Sequence, residues 1–383
     1  MRRYLAAILA GAALLSGCGM PLRPRDVSDL QPVETMGFDA DGENVILSVS
    51  DAGEDTVRLS ARGVSLSEAE ARLQTLADRE ELFYAHTRFV LAGEALAAEG
   101  LDGVLDHFRR NPQTRLTIPL LVVRSGTARE LICPQGEDSA EITGLLRSLS
   151  EGTARAGTPE CVSMLSLTRQ LNRSGAALCA SVRFARAGES DPDRPEARLA
   201  LPDGYAVIKN GALAGFLDRE EALGADLLRG RAGPAELSLP GGASVKLRGG
   251  RTSLRWEDGV LRGEIDLRAG ITALCRPVPL TEEALSALEQ AAAERLANAC
   301  FRALTALRDM GADVLELGLR FAPEADREAL LRQLGWEIRL RVTLARSYDA
   351  NGGVDLRGGS QRIGIGSHPG SVRPCAGRPS CRR

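Results

Sequence analysis

Cys18 is the residue whose setting most directly implies chemistry. It follows Leu15, Ser16 and Gly17 at the end of an apolar run from Tyr4 to Leu15, with Arg2 and Arg3 ahead of that run. A cysteine there stands where an export signal should end in small residues and be cut. The run has twelve residues, short of the roughly 20 that a spanning helix needs, so it reads as an export signal. Other candidates are few. His86, His107 and His368 are the only histidines, and none has a metal-binding partner at helical spacing. His107 falls one position off the apolar stripe of its helix and is expected at the surface or as a cap. His86, between Phe83-Tyr84 and the apolar FVLAG, reads as a hydrogen-bonded structural residue. Asp39, Asp41 and Glu43 cluster, but the spaced third acid and closing Glu of a calcium loop are absent, so a turn is expected. There is no GxSxG elbow, Walker loop or HExxH. GIGSHPG near Gly364 has the wrong spacing for a dinucleotide fingerprint. No catalytic, cofactor-binding or metal residue is assigned, and no cofactor is expected.

The Leu-Ser-Gly-Cys ending resembles the lipobox of bacterial lipoproteins, in which the cysteine receives a diacylglyceryl group and cleavage leaves it as residue one. One acyl chain binds membrane marginally, at about 0.8 kcal/mol per buried CH₂, whereas two give stable anchoring. Seven further cysteines are Cys133, Cys161, Cys179, Cys275, Cys300, Cys375 and Cys381. Export permits disulfides, but the count is odd and no CxxC occurs. Cys133 and Cys161 could pair across a helix-length segment, and Cys300 sits in a helical apolar pattern as a buried thiol.

Removing residues 1–17 leaves 366 of 383, more than one compact domain usually holds. Hydrophobic residues make up 44% and aromatics only 4%, which points to aliphatic cores. Formal charge is −3, or −5 without Arg2 and Arg3. Only Lys209 and Lys246 are lysines; the 46 arginines are spread along the chain and matched by acids, so no nucleic-acid role is inferred.

The elements that must position these residues are an α+β set. Gly37 to Val49 reads as two strands joined at Asp41-Gly42. Ser65-Leu66-Ser67-Glu68 opens a helix as a capping box, and a second helix runs from Glu94 to Arg109. Pro119 to Arg124 is a buried strand, with helices near Ser139–Leu149 and Val162–Asn172. Leu178, Ala180, Val182 and Phe184 share one face of a strand. Gly188 to Glu196 is a charged, proline-rich boundary. A hairpin then turns at Asn210-Gly211, and Asp218 caps a helix with Glu221 three residues on. Ala235 to Leu267 breaks into about four strands, including SVKLR, SLRWE and GEIDLR. A long helix fills 281–310 and ends at Gly311, and Trp336 to Leu344 alternate as a last strand. The expected layout is a signal over 1–17, an N-terminal domain over 18–190 and a C-terminal α+β domain over 199–350, with room for a division near 270. A disordered Gly/Arg/Pro-rich tail over 351–383 follows.

Several segments, in order, resemble the Ger(x)C family, the C subunits of spore nutrient germinant receptors. They are RDVSDLQPVETMGFD, ARGVSLSEAEARL, LFYAHTRFVLAGEALAAEGL with VLDHFRRNPQTR, AVIKNGALAGFLDREEALG, ADVLELG and GWEIRLRVTLARSYDANGG. Together they span Arg25 to Gly353. The family often has Trp after the lipid cysteine, whereas Gly19 stands here; that position lies outside the acylation step. The resemblance implies an α+β fold of several mixed domains. It also implies a lipoprotein on the outer face of the spore inner membrane, acting with A-type and B-type integral membrane subunits in the germination response. No catalytic residues and no small-molecule ligand come with it, so Cys18 alone carries over as a site. The alternative is a solute-binding lipoprotein of an importer, built of two doubly wound lobes, against which the helix-free strands of 235–267 argue. An envelope hydrolase, a third class, would need convergent acids or an activated nucleophile in a cleft.

Overall fold

Tight turns set the first strands of the computed structural model, which describes residues 30–51, 57–77, 81–133, 146–147, 159–186, 198–275, 281–321, 327–345 and 363–367. After β1 (Leu30–Pro32), β2 (Thr35–Asp41) turns back through Gly42-Glu43 into β3 (Asn44–Ser50), with Asp41 opposite Asn44. β4 (Arg58–Gly63) pairs with β3. Ser65 then caps α1 (Leu66–Leu76) by accepting the Glu68 N–H, while the Glu68 carboxylate reaches back to the N–H of Val64 at 2.8 Å. β5 (Glu81–Phe83) makes a separate parallel pair with β1.

β6 (Phe89–Gly93), β7 (Leu120–Arg124) and β8 (Ala176–Arg186) run parallel beside β2. Crossovers between parallel strands require helices. They are α2 (Glu94–Glu99) and α3 (Asp102–Arg110) after β6, and α4 (Ala128–Ile132) and α5 (Met164–Ser174) after β7. The single helix expected from Glu94 to Arg109 is therefore two. Gly100, at φ +141°, ends the first and frees the Leu101 N–H to bond the Gly211 carbonyl at 2.8 Å. The helix expected near Ser139–Leu149 lies outside the described residues apart from Leu146 and Arg147.

β9 (Arg198–Lys209) and β10 (Ala212–Leu217) are joined at Asn210-Gly211, both with positive φ, as a type I′ turn needs. They complete an eight-stranded sheet of order β10-β9-β8-β7-β6-β2-β3-β4. The sequence reading places this hairpin in a second domain starting at 199, yet the sheet continues across that point. Its pairing covers β8, whose two faces are both apolar and which would otherwise be an edge. On one face Met36, Phe38, Val90, Val122, Cys179 and Ile208 pack under α1 to α3 and α5. On the other, Leu91, Val123 and Val182 pack on α4.

The β8–β9 end of that second face belongs to another core. Leu178, Tyr205 and Val207 meet α6 (Arg219–Leu228) and α7 (Glu282–Met310), and those helices meet a five-stranded sheet. That sheet is β11 (Glu236–Ser238), β12 (Ala243–Glu257), β13 (Val260–Leu274), β14 (Gly335–Leu344) and β15 (Ile363–Ser367), in that order. Two short helices, α8 (Leu317–Phe321) and α9 (Arg327–Arg332), lead from α7 to β14. The sequence expectation of about four strands gives way to three, because a register shift between Leu247 and Gly249 lets SVKLR and SLRWE form one continuous strand. β15 lies within the Gly/Arg/Pro-rich tail over 351–383 that the sequence reading expects to be disordered. Its alternating Ile and Gly backbone pairs antiparallel with Trp336–Leu340 and covers an edge that β14 would leave open.

α7 has the expected bounds: Thr281 accepts the Ala284 N–H at its start, and Gly311 in the left-handed region ends it. Its Glu289 is buried and accepts the Leu344 N–H at 2.8 Å, tying helix to strand end.

Candidate functional site

Cys18, His368, Cys375 and Cys381 lie outside the described residues. His86 packs its ring at a tilt of 57° against Phe83, with centroids 5.4 Å apart. His107 departs from the expected surface position. Its side chain is only 9% exposed, held between the rings of Phe38 and Phe108. The buried face of α3 is the expected one, Val104, Leu105 and Phe108, and His107 at its border is covered because Phe38 of β2 reaches over it. Burial lowers its pKa, and its Nε2 stands 3.8 Å from the Glu70 carboxylate.

The three early acids separate. Asp41 pairs outward with Arg62 at 2.8 Å, while Asp39 turns inward and accepts the N–H groups of Ala128 (2.7 Å) and Arg129 (2.8 Å), capping α4. Burial raises the Asp39 pKa, and the two N–H donors oppose that rise. Among the described residues, no group of three or more His, Cys, Asp or Glu side chains converges as a metal site. Asp39→Ala would strand both donors where water reaches poorly. It is expected to cost about 3 kcal/mol, read as a lower urea midpoint, and an unchanged midpoint would refute the capping role.

Cys133 and Cys161 are both free, so the pairing weighed from the sequence does not form. Cys179 is buried with its thiol on the Leu120 carbonyl at 3.0 Å, and Cys300 is buried inside α7, as its pattern implies. Burial pushes Cys161 up to about 11 and Cys300 up to about 12. These thiols stay neutral and unreactive near neutral pH.

The densest buried polar arrangement lies where the first sheet meets α6. The Tyr205 hydroxyl, fully buried, donates to the Asp226 carboxylate at 3.0 Å and accepts the Glu160 N–H at 2.9 Å. Arg231 pairs with Glu160, and Arg229 donates to the Gln170 side chain at 3.0 Å. A strand, a pre-helical loop, α5 and α6 are thus pinned together by one hydroxyl and its neighbours. Burial is the main cause that lifts the Asp226 pKa to about 6, against the Tyr205 hydrogen bond and the Arg229 charge. Sequence reading missed this group, because residues 160, 170, 205 and 226 share no spacing motif.

The ADVLELG segment acquires a physical role. Asp313, 3% exposed, accepts the N–H groups of Leu317 (2.7 Å) and Gly318 (2.8 Å) and so starts α8. Glu316 beside it bonds Arg173 of α5 at 2.8 Å, joining the end of the long helix to the first body. Asp39, Asp313 and Glu289 are each spent on backbone N–H groups, and Asp226 on Tyr205. No helix among the described residues is long and apolar enough to cross a membrane.

Comparison with known proteins agrees with this arrangement. The spore germination protein N-terminal domain matches residues 23–183, and the spore germination B3/GerAC-like C-terminal domain matches residues 203–339. YfkR of Bacillus subtilis (strain 168), which its name places in spore germination, is 30% identical over 217 residues. That alignment covers 55% of this chain and 54% of YfkR, so the chain matches about half the length of this curated relative. The crystal structure of GerBC superposes with a TM-score of 0.52 over 81% of this chain and 96% of its own, at 14% identity, a likeness of fold. With two successive domains matched in order and the fold shared, the chain belongs to the Ger(x)C family of spore germination proteins.

Proposed function

We propose that this chain is a membrane-anchored lipoprotein subunit of a spore nutrient germinant receptor, acting by assembly rather than catalysis. The observation that carries the reading is the ordered pair of germination-domain matches. The signal ending in Leu15-Ser16-Gly17-Cys18 supports the anchor. In this reading acylated Cys18 holds the protein at the outer face of the spore inner membrane. Its exposed faces dock A-type and B-type integral subunits, and tethering supplies a high effective concentration for that docking. The commitment of the buried acids to structural hydrogen bonds favours a scaffold over an acid–base enzyme.

Deleting the gene tests the function. Spores without it, and without a redundant paralogue, are expected to lose or strongly delay their response to at least one nutrient; normal responses to every nutrient would sink the reading. Cys18→Ala tests the anchor. The variant should accumulate as an unprocessed or mislocalised precursor, and unchanged processing with full membrane retention would count against lipidation.

A further inference from the structure

α6 and α7 cover one face of the five-stranded sheet, and the opposite face of β12–β14 carries charged side chains in solvent. Strand register sets these side chains in rows: Arg255, Arg262 and Glu337; Ser253, Glu264 and Arg339; Arg251, Asp266 and Arg341; then Arg268 beside Thr343. With Glu257, six arginines meet four carboxylates on one face of a chain whose net charge is −3.

The carboxylates do not serve all the arginines. Arg262 pairs with Glu257 and with Glu337 (3.6 Å), Arg339 with Glu337 (2.8 Å) and Arg341 with Asp266 (2.9 Å). Arg251, Arg255 and Arg268 make no ion pair among the described residues. Arg255 moreover stands directly across from Arg262, and like charges at that cross-strand distance repel. Beside Arg255 is a hollow of about 300 Å³ whose charged lining is balanced, Arg255, Arg262 and Arg339 against Glu257, Glu264 and Glu337, so the unpaired arginines along β12 and β13 carry the excess positive charge of the face.

We infer that this face docks an acidic segment of a partner polypeptide, with carboxylates seated between Arg251, Arg255 and Arg268. Guanidinium forks match carboxylates in discrete two-bond geometry. A bilayer surface of continuous negative charge fits less well, because it would also meet Glu257, Glu264 and Asp266. The inference rests on the reading that the chain works by docking protein partners, and it names the chemistry of one of them.

The test is a dye-labelled oligoglutamate peptide titrated into the full chain at low ionic strength, followed by anisotropy. Saturable binding is expected, weakening with added salt. The double variant Arg251→Glu/Arg255→Glu should bind about tenfold more weakly, with an unchanged melting profile. Arg109→Ala/Arg110→Ala, on α3 of the first body, should bind as the parent does. No binding, or binding indifferent to the Arg251/Arg255 change, overturns the inference. Tighter association with phosphatidylglycerol vesicles than with the peptide also overturns it, making the face a membrane surface. Any of these leaves the gene-deletion phenotype untouched, so the surface and the receptor reading fail separately.

Discussion

Gly224→Ala is expected to destabilise the protein by about 3 kcal/mol, the upper end of the usual overpacking range. A methyl at that position of α6 would run into the carbonyl oxygen of Ala299 and stand 2.7 Å from the Cys300 nitrogen, both backbone atoms of α7. A flexible side chain could swing away; the backbone of a 29-residue helix cannot shift locally. The helices would have to separate, opening the core that Ala222, Ala225, Cys300 and Ala303 line between the two sheets. Gly103 supplies the contrast. It lies within α3 with nothing within 4 Å of an added Cβ, so Gly103→Ala should gain about 0.5–1 kcal/mol from helix propensity alone. Urea unfolding of both variants decides the matter. Equal midpoints would show that α6 and α7 are not held in this contact.

Much of the local structure was legible because its causes are local. Ser65, Asp218 and Thr281 each cap the helix that their spacing announces, and Asn210-Gly211 turns the expected hairpin. Gly311 stops α7 as its position implies. What was not legible depends on partners distant in the chain. That β9 and β10 join the first sheet follows from pairing with β8, which no window of residues displays. The burial of His107 follows from Phe38, a residue of a distant strand whose ring covers the border of the helix face. The strand β15 forms because β14 offers an edge, not because Ile363–Ser367 has strong propensity of its own.

The same division runs through the functional residues. The proposal for Cys18 rests on a short linear signal, Leu15-Ser16-Gly17-Cys18, and needs no folded partner to be read. The Tyr205–Asp226 group was not legible, since its members become neighbours only after both sheets have formed. The charged rows of the outer face were half legible: alternation along β12, β13 and β14 predicts one polar side. Their opposition as Arg255 to Arg262 depends on the Asp258-Gly259 turn fixing register.

Asp226→Asn is expected to make the protein more stable above pH 6 and to flatten its pH dependence relative to the parent. The Asp226 pKa rises from 3.8 to about 6 in the folded state. A raised carboxylate pKa means that folding favours the protonated form. Its stabilising contribution is therefore complete below about pH 3.8 and lost as pH climbs through about 6. Beyond that, the ionised group costs on the order of 3 kcal/mol relative to its unfolded reference. The amide can still accept the Tyr205 hydroxyl without a buried charge, so the variant escapes this loss. Near pH 4 the two proteins should be close in stability, and the gap should open between pH 4 and 7. Asp39 and Glu70 also have raised pKa values, but both proteins share them, and the difference curve removes their effect. Tyr205→Phe probes the same joint from the other side. It removes the donor that favours the ionised carboxylate and the acceptor for the Glu160 N–H, so it should push the Asp226 titration higher and lower stability. Parallel stability curves for the parent and Asp226→Asn from pH 4 to 8 would show that Asp226 titrates as an ordinary surface acid.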